Sequence, residues 1–284
     1  MDSRRYLRKP EWLRVSLPRD SAYGATRKIL DELHLNTVCS SAKCPNIFEC
    51  FSQGTGTFLI LGQNCTRACR FCNIHSGDPE PLDMHEPDHV AEAVNRLGLR
   101  HAVITSVTRD DLPDGGAEHF ARVVKAVREN CPGVTVEVLI PDFQGSLVSL
   151  EQVVAAGPAV INHNVETVPR LYPKVRPQAD FDRSLTLLRR VKEHAGIKVK
   201  SGLMVGLGET DPEVRATLSS LAGQGCDIVT IGQYLQPSRN HLDVQRYVHP
   251  DLFRKYAETG RGLGIPKMFC GPLIRSSYHA EDHV

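Results

Sequence analysis

After Gly54 the chain alternates between short apolar runs and longer amphipathic stretches, and no other pattern in it restricts the fold as strongly. The short runs are rich in β-branched residues and have the length of strands. In the longer stretches, apolar residues recur at i, i+3, i+4 and i+7, the period of a helix with one buried face. Near-continuous apolar strands indicate a parallel sheet covered by helices. The predicted strands are residues 57–62, 100–107, 133–140, 159–165, 197–206 and 226–233.

Six helical stretches accompany these strands, and the pairing implies repeated βαβ units. On pattern alone, such units form either an open doubly wound sheet or a curved partial barrel. Residues 1–56, and residues 250–284 beyond their one helix, lack the alternation. We therefore predict an N-terminal and a C-terminal extension laid on a core of residues 57–249. The helical stretches are residues 86–98, 116–130, 147–157, 180–194, 211–225 and 251–262.

Composition and charge argue against several classes of function. The formal net charge is +1 and there is no long basic run, so nucleic acid is not an expected partner. No run approaches the roughly 20 apolar residues of a membrane span, so no membrane association is expected. The N-terminal stretch mixes arginines with Asp2 and Glu11 and no apolar run follows, so we expect no secretory signal and a cytoplasmic location.

The cysteines are concentrated, since six of the nine lie between residues 39 and 72 in two groups of three. An odd total fits poorly with a disulfide framework, and clustered cysteines in a reducing compartment more often bind metal or do chemistry. The second triplet, Cys65, Cys69 and Cys72, follows the first predicted strand, where βα proteins build active sites. A zinc ion there would need a fourth ligand, for which His75 is nearest. An iron–sulfur cube with three protein ligands and one open iron fits better.

The first triplet, Cys39, Cys44 and Cys50, has C-x4-C-x5-C spacing in a polar, irregular segment. The plain alternative is a loop with loosely placed thiols. Three thiols within a dozen residues, just upstream of a second triplet, instead favour a second iron–sulfur cluster. The three remaining cysteines are predicted to be small buried hydrophobes: Cys131, Cys226 and Cys270.

The C-x3-C-x2-C triplet, with Phe71 just before its last cysteine, resembles the signature of the radical S-adenosylmethionine (radical SAM) enzymes. This resemblance implies an α/β fold, a (βα)6 partial TIM-type barrel, and S-adenosylmethionine bound at the open iron. It also implies contacts to that cofactor from loops that follow the strands. Each contact has a structural alternative, a turn glycine or a polar group that satisfies buried backbone. The implied cofactor-binding residues are Phe71, Gly115, Gly116, Asn164, Glu166, Gly206 and Gly208.

Over nearly its whole length the chain resembles the lipoyl synthase family. The resemblance rests on both cysteine spacings and on stretches such as "RDDLPDGGAEHF", "HNVETV", "QYLQPSRNHLDVQRYVHP" and "RSSY". It implies that Ser277 of "RSSY" is the fourth ligand of the auxiliary 4Fe–4S cluster on the first triplet. Ser276 stays open as the ligand, and a simple turn is the structural alternative. A serine oxygen is a hard donor among soft thiolates, so we hypothesise that this bond opens during turnover.

The same resemblance implies a sulfurtransferase of lipoate biosynthesis with two 4Fe–4S clusters and S-adenosylmethionine. A 5′-deoxyadenosyl radical would take hydrogen from C6 and C8 of an octanoyl-lysine, and each carbon would attack a sulfide of the auxiliary cluster. A radical is required because an unactivated methylene has no acidic proton. The expected partners are an octanoylated carrier (glycine cleavage H protein or a 2-oxoacid dehydrogenase E2), a flavodoxin or ferredoxin-type electron donor, and an iron–sulfur cluster carrier. A monomer is expected.

Other interpretations remain at this stage. Another radical SAM sulfur-inserting enzyme would share the second triplet, and a two-cluster electron carrier would share the cysteines without the barrel. "HEPDH" at residues 85–89 matches the H-E-x-x-H zinc pattern, but Pro87 disfavours helical geometry at Glu86, so we predict a helix-start loop. Arg176 and Arg239 either guide the acyl-lysine or its carrier, or form surface ion pairs. Lys200 either faces the barrel mouth or pairs with a carboxylate.

Overall fold

The computed structural model describes residues 7–15 and 22–283. Residues 1–6, 16–21 and 284 lie outside the described residues, and with them part of both predicted extensions. All six predicted strands and all six predicted helices between residues 57 and 262 are present, together with short elements that were not predicted. The strands are β1 Asn36–Thr37, β2 Thr57–Ile60, β3 Asn64–Cys65, β4 His75–Ser76, β5 His101–Ser106, β6 Thr135–Leu139, β7 Val160–Asn162, β8 Lys198–Val205, β9 Ile228–Gln233 and β10 Lys267–Gly271.

The α-helices alternate with the main strands and are supplemented by short 3₁₀ turns. The helices are α1 Ala22–Glu32, α2 Val38–Ser41, α3 Ile47–Ser52, α4 Glu86–Leu97, α5 Ala117–Asn130, α6 Leu147–Ala155, α7 Tyr172–Val175, α8 Phe181–Lys192, α9 Asp211–Gly223 and α10 Pro250–Gly262. The 3₁₀ turns are Glu11–Leu13, Phe143–Gly145, Pro169–Leu171 and Ala280–His283. In the part of the chain that the structure covers, no helix is both long and apolar enough to cross a membrane.

Within the described residues the main sheet has eight strands in the order β1-β2-β5-β6-β7-β8-β9-β10. Every neighbouring pair is parallel except β1 and β2, and β3 and β4 form a separate parallel pair. A doubly wound sheet reverses its strand order at a switch point, whereas this order never reverses. The architecture is therefore a curved sheet of the partial TIM-barrel type, as predicted.

The prediction missed the outermost strands of the sheet. β10 pairs in parallel with β9, and β1 pairs antiparallel with β2, so both edges of the predicted six-stranded sheet are covered. β10 reads "KMFCG" and is only half-buried, which hides it from a search for apolar β-branched runs. β1 has two residues, too few to show any periodicity.

Local sequence sets the ends of the helices. α9 begins at a capping box, in which the backbone N–H of Thr210 donates to the carboxylate of Glu213 at 2.8 Å. α8 begins at Asp180, whose side chain accepts from the N–H of Arg183 at 2.7 Å. α4 ends at Gly98, which has a φ of 64°. Each of these ends was visible in the sequence because it depends on neighbouring residues.

The helical stretch predicted from residue 86 is confirmed, whereas the helix-start loop predicted across "HEPDH" is wrong beyond His85, because α4 begins at Glu86. Pro87 occupies the first turn of the helix, where its missing N–H leaves no backbone acceptor unpaired. The Glu86 carboxylate turns into the core, accepts from the N–H of Leu61 at 3.0 Å and lies 2.7 Å from His119 Nε2. Glu86 therefore joins strand β2 to two helices, which is a structural role.

A polar cluster that contains Lys200 is buried inside the curved sheet and decides between the two alternatives for this residue. Its Nζ donates to Glu137 Oε1 at 2.7 Å, and neither side chain is exposed to solvent. His101 Nε2 lies 3.2 Å from the other oxygen of the same carboxylate. Lys200 thus pairs with a carboxylate, which is how a buried ammonium is normally tolerated.

Candidate active site

Both cysteine triplets line one cavity of about 710 Å³ at the centre of the molecule. The second triplet approaches it from the loop after β2, and the first triplet approaches from the N-terminal extension. The cysteines that line it are Cys39, Cys44, Cys50, Cys65, Cys69 and Cys72. Ser276 and Ser277 line the same cavity, so the structure brings together every residue that the sequence marked as a candidate cluster ligand.

Backbone N–H groups point at the sulfurs of the second triplet. Cys65 Sγ accepts from the N–H of Arg67 at 3.4 Å and from that of Thr108 at 3.3 Å. Cys72 Sγ accepts from the N–H of Ile74 at 3.5 Å. Such donors stabilise negative charge on sulfur, and hydrogen bonds of this kind set the potentials of iron–sulfur clusters.

Arg67 fixes the loop that carries the second triplet. Its Nε and one terminal nitrogen hold Asp110 at 2.6 and 2.9 Å, and that terminal nitrogen also donates to Asp142 at 2.6 Å. Burial raises the pKa of Asp142, but the Arg67 guanidinium more than offsets this and brings that pKa to about 2. The loop is therefore tied to the segments that follow β5 and β6 by two ion pairs, of which the one to Asp142 is buried.

The thiols of each triplet lie close enough to influence one another. Burial, and then the neighbouring Cys39 and Cys44, raise the pKa of Cys50 to about 12. Burial likewise raises the pKa of Cys72 to about 12, with smaller contributions from Cys69 and Cys65. Clustered thiols of this kind become thiolates when a cation coordinates them, so the donor sets fit metal binding.

Within residues 7–15 and 22–283, no group of three or more His, Cys, Asp or Glu side chains converges on one ion position. A 4Fe–4S cluster does not need such convergence, because each thiolate binds a different iron.

The C-terminal tail reaches the first triplet through contacts with the N-terminal extension. Asn46 Nδ2 donates to the carbonyl of Leu273 at 2.8 Å, and Tyr278 Oη donates to the Glu49 carboxylate at 2.9 Å. At Gly232 in β9, any side chain would clash with the carbonyl of Ile274, so the tail passes closely over this strand. These contacts position the "RSSY" segment at the cavity.

Arg176 lies in the cavity wall, so it is not a surface ion-pair residue. It is 8% exposed, and its guanidinium donates to the carbonyl of Asn164 at 2.8 Å. Burial raises the pKa of Glu166, which also lines the cavity, while Arg176 and then Asn164 lower it. Glu166 has a φ of 64°, and its N–H and carbonyl bond to Gly202 and Met204 of β8. A strained position of this kind is common at functional sites.

The predicted cofactor-binding residues divide into two groups. Phe71, Asn164 and Glu166 line the cavity. The glycines do not, and they have backbone roles. A side chain at Gly116 would meet Leu61 at 2.5 Å, and the N–H of Gly206 donates to Glu209 at 2.7 Å. The glycines outside the cavity wall are Gly115, Gly116, Gly206 and Gly208, and their contact with S-adenosylmethionine stays a prediction.

The sequence reasoning missed several polar and soft side chains of the cavity wall. Thr105, Ser106 and Thr108 line it from the end of β5 and the loop that follows. Met204 lines it from β8. The sequence alone could not identify these residues, because the curvature of the sheet decides which side chains of each strand point inward.

Comparisons with known proteins agree with this geometry. The family model of the radical SAM superfamily matches residues 59–221. A lipoyl synthase of Oleidesulfovibrio alaskensis is 60% identical over 276 residues, which cover 97% of this chain and 94% of that protein. A lipoyl synthase of Nitratidesulfovibrio vulgaris is 61% identical over 275 residues, covering 97% and 92%. The solved structure of methylornithine synthase has a TM-score of 0.54 at 16% identity, over 87% of this chain and 76% of that one, and shows the fold alone.

Proposed function

The chain belongs to the lipoyl synthases, a family of the radical SAM superfamily, and on this premise we propose how its residues share the reaction. It is a sulfurtransferase of lipoate biosynthesis that inserts sulfur at C6 and C8 of a protein-bound octanoyl chain. Its cofactors are S-adenosylmethionine and two 4Fe–4S clusters. When bound, these groups supply a carbon-centred radical that takes hydrogen from an unactivated methylene, and the sulfur that replaces it.

The two triplets have different tasks in this proposal. Cys65, Cys69 and Cys72 hold the cluster that binds S-adenosylmethionine. The backbone N–H groups directed at Cys65 and Cys72 support this assignment. The auxiliary cluster is held by Cys39, Cys44, Cys50 and Ser277, an assignment supported by the contacts that bring the tail to the N-terminal extension. The observation that carries the proposal is the single cavity on which both triplets open.

Residues between the triplets hold the reactants. Glu166 and Asn164 accept hydrogen bonds from the nucleoside of S-adenosylmethionine, and Arg176 fixes the backbone of Asn164. Aliphatic side chains of the cavity wall, among them Leu59 and Val103, contact the octanoyl chain. They also exclude water, which protects a reactive intermediate from side reactions.

The substrate protein is a lipoyl carrier. We propose that this carrier is the glycine cleavage H protein or the E2 domain of a 2-oxoacid dehydrogenase. The electron donor is a flavodoxin or ferredoxin-type protein, an iron–sulfur carrier rebuilds the auxiliary cluster, and the reaction takes place in the cytoplasm. The need for a low-potential electron and for replacement of consumed sulfide supports these partners.

Turnover on an octanoylated carrier tests the proposal. The reconstituted protein is incubated with S-adenosylmethionine and dithionite, and the carrier is analysed by mass spectrometry for two added sulfur atoms. The wild type and a Cys131→Ala control, altered at a buried thiol outside the cavity, are expected to give the same product. A Cys65/Cys69/Cys72→Ala variant is expected to yield neither 5′-deoxyadenosine nor thiolated carrier. Cleavage of S-adenosylmethionine by the wild type without sulfur insertion would contradict it.

A further inference from the structure

A basic cleft of about 410 Å³ lies outside the cavity, on the other side of the loop that carries the second triplet. Three exposed cations line it: Arg70 from that loop, Lys174 from α7, and Arg239 from the segment after β9. Asp243 is the acidic residue of the lining, and it accepts a hydrogen bond from Gln236 at 3.1 Å. The chain as a whole carries a net charge of only +1, so this positive charge is a local concentration.

The three cations are not used within the protein. None of their side chains forms an ion pair with another residue in the described ranges. Unpaired charges of one sign that share a cleft attract a partner of opposite charge and accelerate its encounter. The cleft therefore suits an acidic surface.

The cleft contacts the backbone of the loop that carries Cys65, Cys69 and Cys72, called the cluster loop from here on. His241 Nε2 lies 2.9 Å from the carbonyl oxygen of Cys72, and His241 Nδ1 is held by Ser238 at 2.8 Å. The N–H of Leu242 donates to the carbonyl of Arg70 at 3.2 Å, and the N–H of Arg70 donates to that of Val175 at 2.9 Å. These hydrogen bonds join three segments directly behind Cys72.

The position of the cleft distinguishes an electron donor from the octanoylated carrier. An acyl-lysine has to enter the cavity, but among the described residues none lines both the cavity and the cleft. An electron needs no opening, because it crosses a few bonded and hydrogen-bonded atoms. A small, charged, exposed site is also typical of transient redox encounters.

We infer that the cleft formed by Arg70, Lys174, Arg239 and His241 is the docking site of an acidic, low-potential electron-transfer protein. This inference rests on the proposed function, because it concerns the supply of electrons to the cluster held by Cys72. One electron leaves the donor's reduced flavin or iron–sulfur centre, which is oxidised by one electron. The cluster on the second triplet is reduced by one electron, and no atom is transferred.

Charge reversal on the rim of the cleft tests the inference. The Lys174→Glu/Arg239→Glu double variant leaves Arg70 and His241 in place. The control is Lys125→Glu/Lys255→Glu, which makes the same change in net charge on exposed lysines of α5 and α10. The first measurement is equilibrium binding of oxidised flavodoxin, and separately of a ferredoxin, to each reconstituted enzyme at low salt.

The cleft variant is expected to bind the donor protein at least about 10-fold more weakly than the wild type, and the control within about twofold. Added salt is expected to weaken binding to the wild type more than binding to the variant. The second measurement is turnover. With dithionite as reductant the variant is expected to match the wild type, and with reduced flavodoxin its KM for the donor is expected to rise by the same factor.

Several outcomes would overturn the inference. Unchanged donor affinity in the cleft variant would do so, as would failure of both donor proteins to bind the wild type. A raised KM for the octanoylated carrier with dithionite would assign the cleft to the carrier instead. Failure of the wild type to thiolate the carrier with dithionite would instead refute the proposed function, because that assay involves no donor protein.

Discussion

At the scale of single residues, the side chains that line the cavity decide which groups can bind a cluster or the cofactor. Both cysteine triplets could be recognised from their spacing, and the structure places all six thiols on the cavity wall, while their role as cluster ligands stays a prediction. Arg176 could not be assigned, because its burial depends on how α7 packs against the loop after β7. The cavity contains both Ser276 and Ser277, so the choice between them requires an experiment.

Substitution of the two serines separates their roles. Ser277→Ala is expected to lower sulfur insertion by roughly 10- to 100-fold, by analogy with the loss of a supporting group at other metal sites. Ser276→Ala is expected to keep nearly full activity. The measurement is thiolated carrier per enzyme, together with iron content. The reverse order of effects would make Ser276 the ligand, and a Ser277→Cys variant with unchanged sulfur insertion would count against a bond that opens in turnover.

The carboxylate of Glu166, which lines the cavity, is expected to bind the cofactor. Glu166→Gln keeps the shape of the side chain but removes its charge, and a hydrogen bond to a charged group contributes roughly 1.5–3 kcal/mol. We therefore expect the Kd for S-adenosylmethionine to rise by about 10- to 100-fold, measured by equilibrium dialysis. Glu193→Gln, at the exposed end of α8, is the control. Unchanged affinity would mean that Glu166 only satisfies buried backbone.

At the scale of elements, long strands and helices were predictable and the outermost strands were not. β5, β8 and β9 could be predicted because a buried strand needs a continuous apolar run. β10 and β1 form by pairing with the unpaired backbone groups at the edges of neighbouring strands. No local sequence pattern predicts such pairing. The contact between Tyr278 and Glu49 spans 229 residues of sequence, so it too depends on the completed fold.

The contact between the cluster loop and the segment after β6 gives a prediction about acid stability. The pKa of Asp142 is lowered from 3.8 to about 2, so its contribution is complete above about pH 4 and is lost as pH falls through about 2. Asp142→Asn is expected to reduce the free energy of unfolding at neutral pH by about 2 kcal/mol. The difference from the wild type is expected to stay constant from pH 8 to 5 and to shrink below about pH 4.

Urea unfolding of the metal-free chain, followed by circular dichroism across this pH range, measures that difference. Glu258→Gln on the exposed face of α10 is the control and is expected to change little. Equal stability of Asp142→Asn and wild type at pH 7, or a difference that persists undiminished at pH 2, would show that Arg67 does not hold the loop through this carboxylate.

At the scale of the whole molecule, the curved sheet and the segments on either side of the predicted core line one cavity. The N-terminal extension contributes β1 and the first triplet, and the C-terminal tail contributes β10 and the two serines. Sequence could single out both sets of candidate ligands, because spacing is local. It could not show that they face each other across one cavity, because that arrangement depends on the curvature of the sheet and on the path of the tail over Gly232.

Iron and sulfide content, measured beside sulfur insertion on the same samples, tests the division of tasks between the triplets most directly. Anaerobically reconstituted wild type is expected to hold about eight irons per chain, and Cys39/Cys44/Cys50→Ala about four. The variant is expected to cleave S-adenosylmethionine and to leave the octanoyl chain without sulfur. A preparation with about four irons per chain that still thiolates the carrier fully would contradict a sacrificial second cluster.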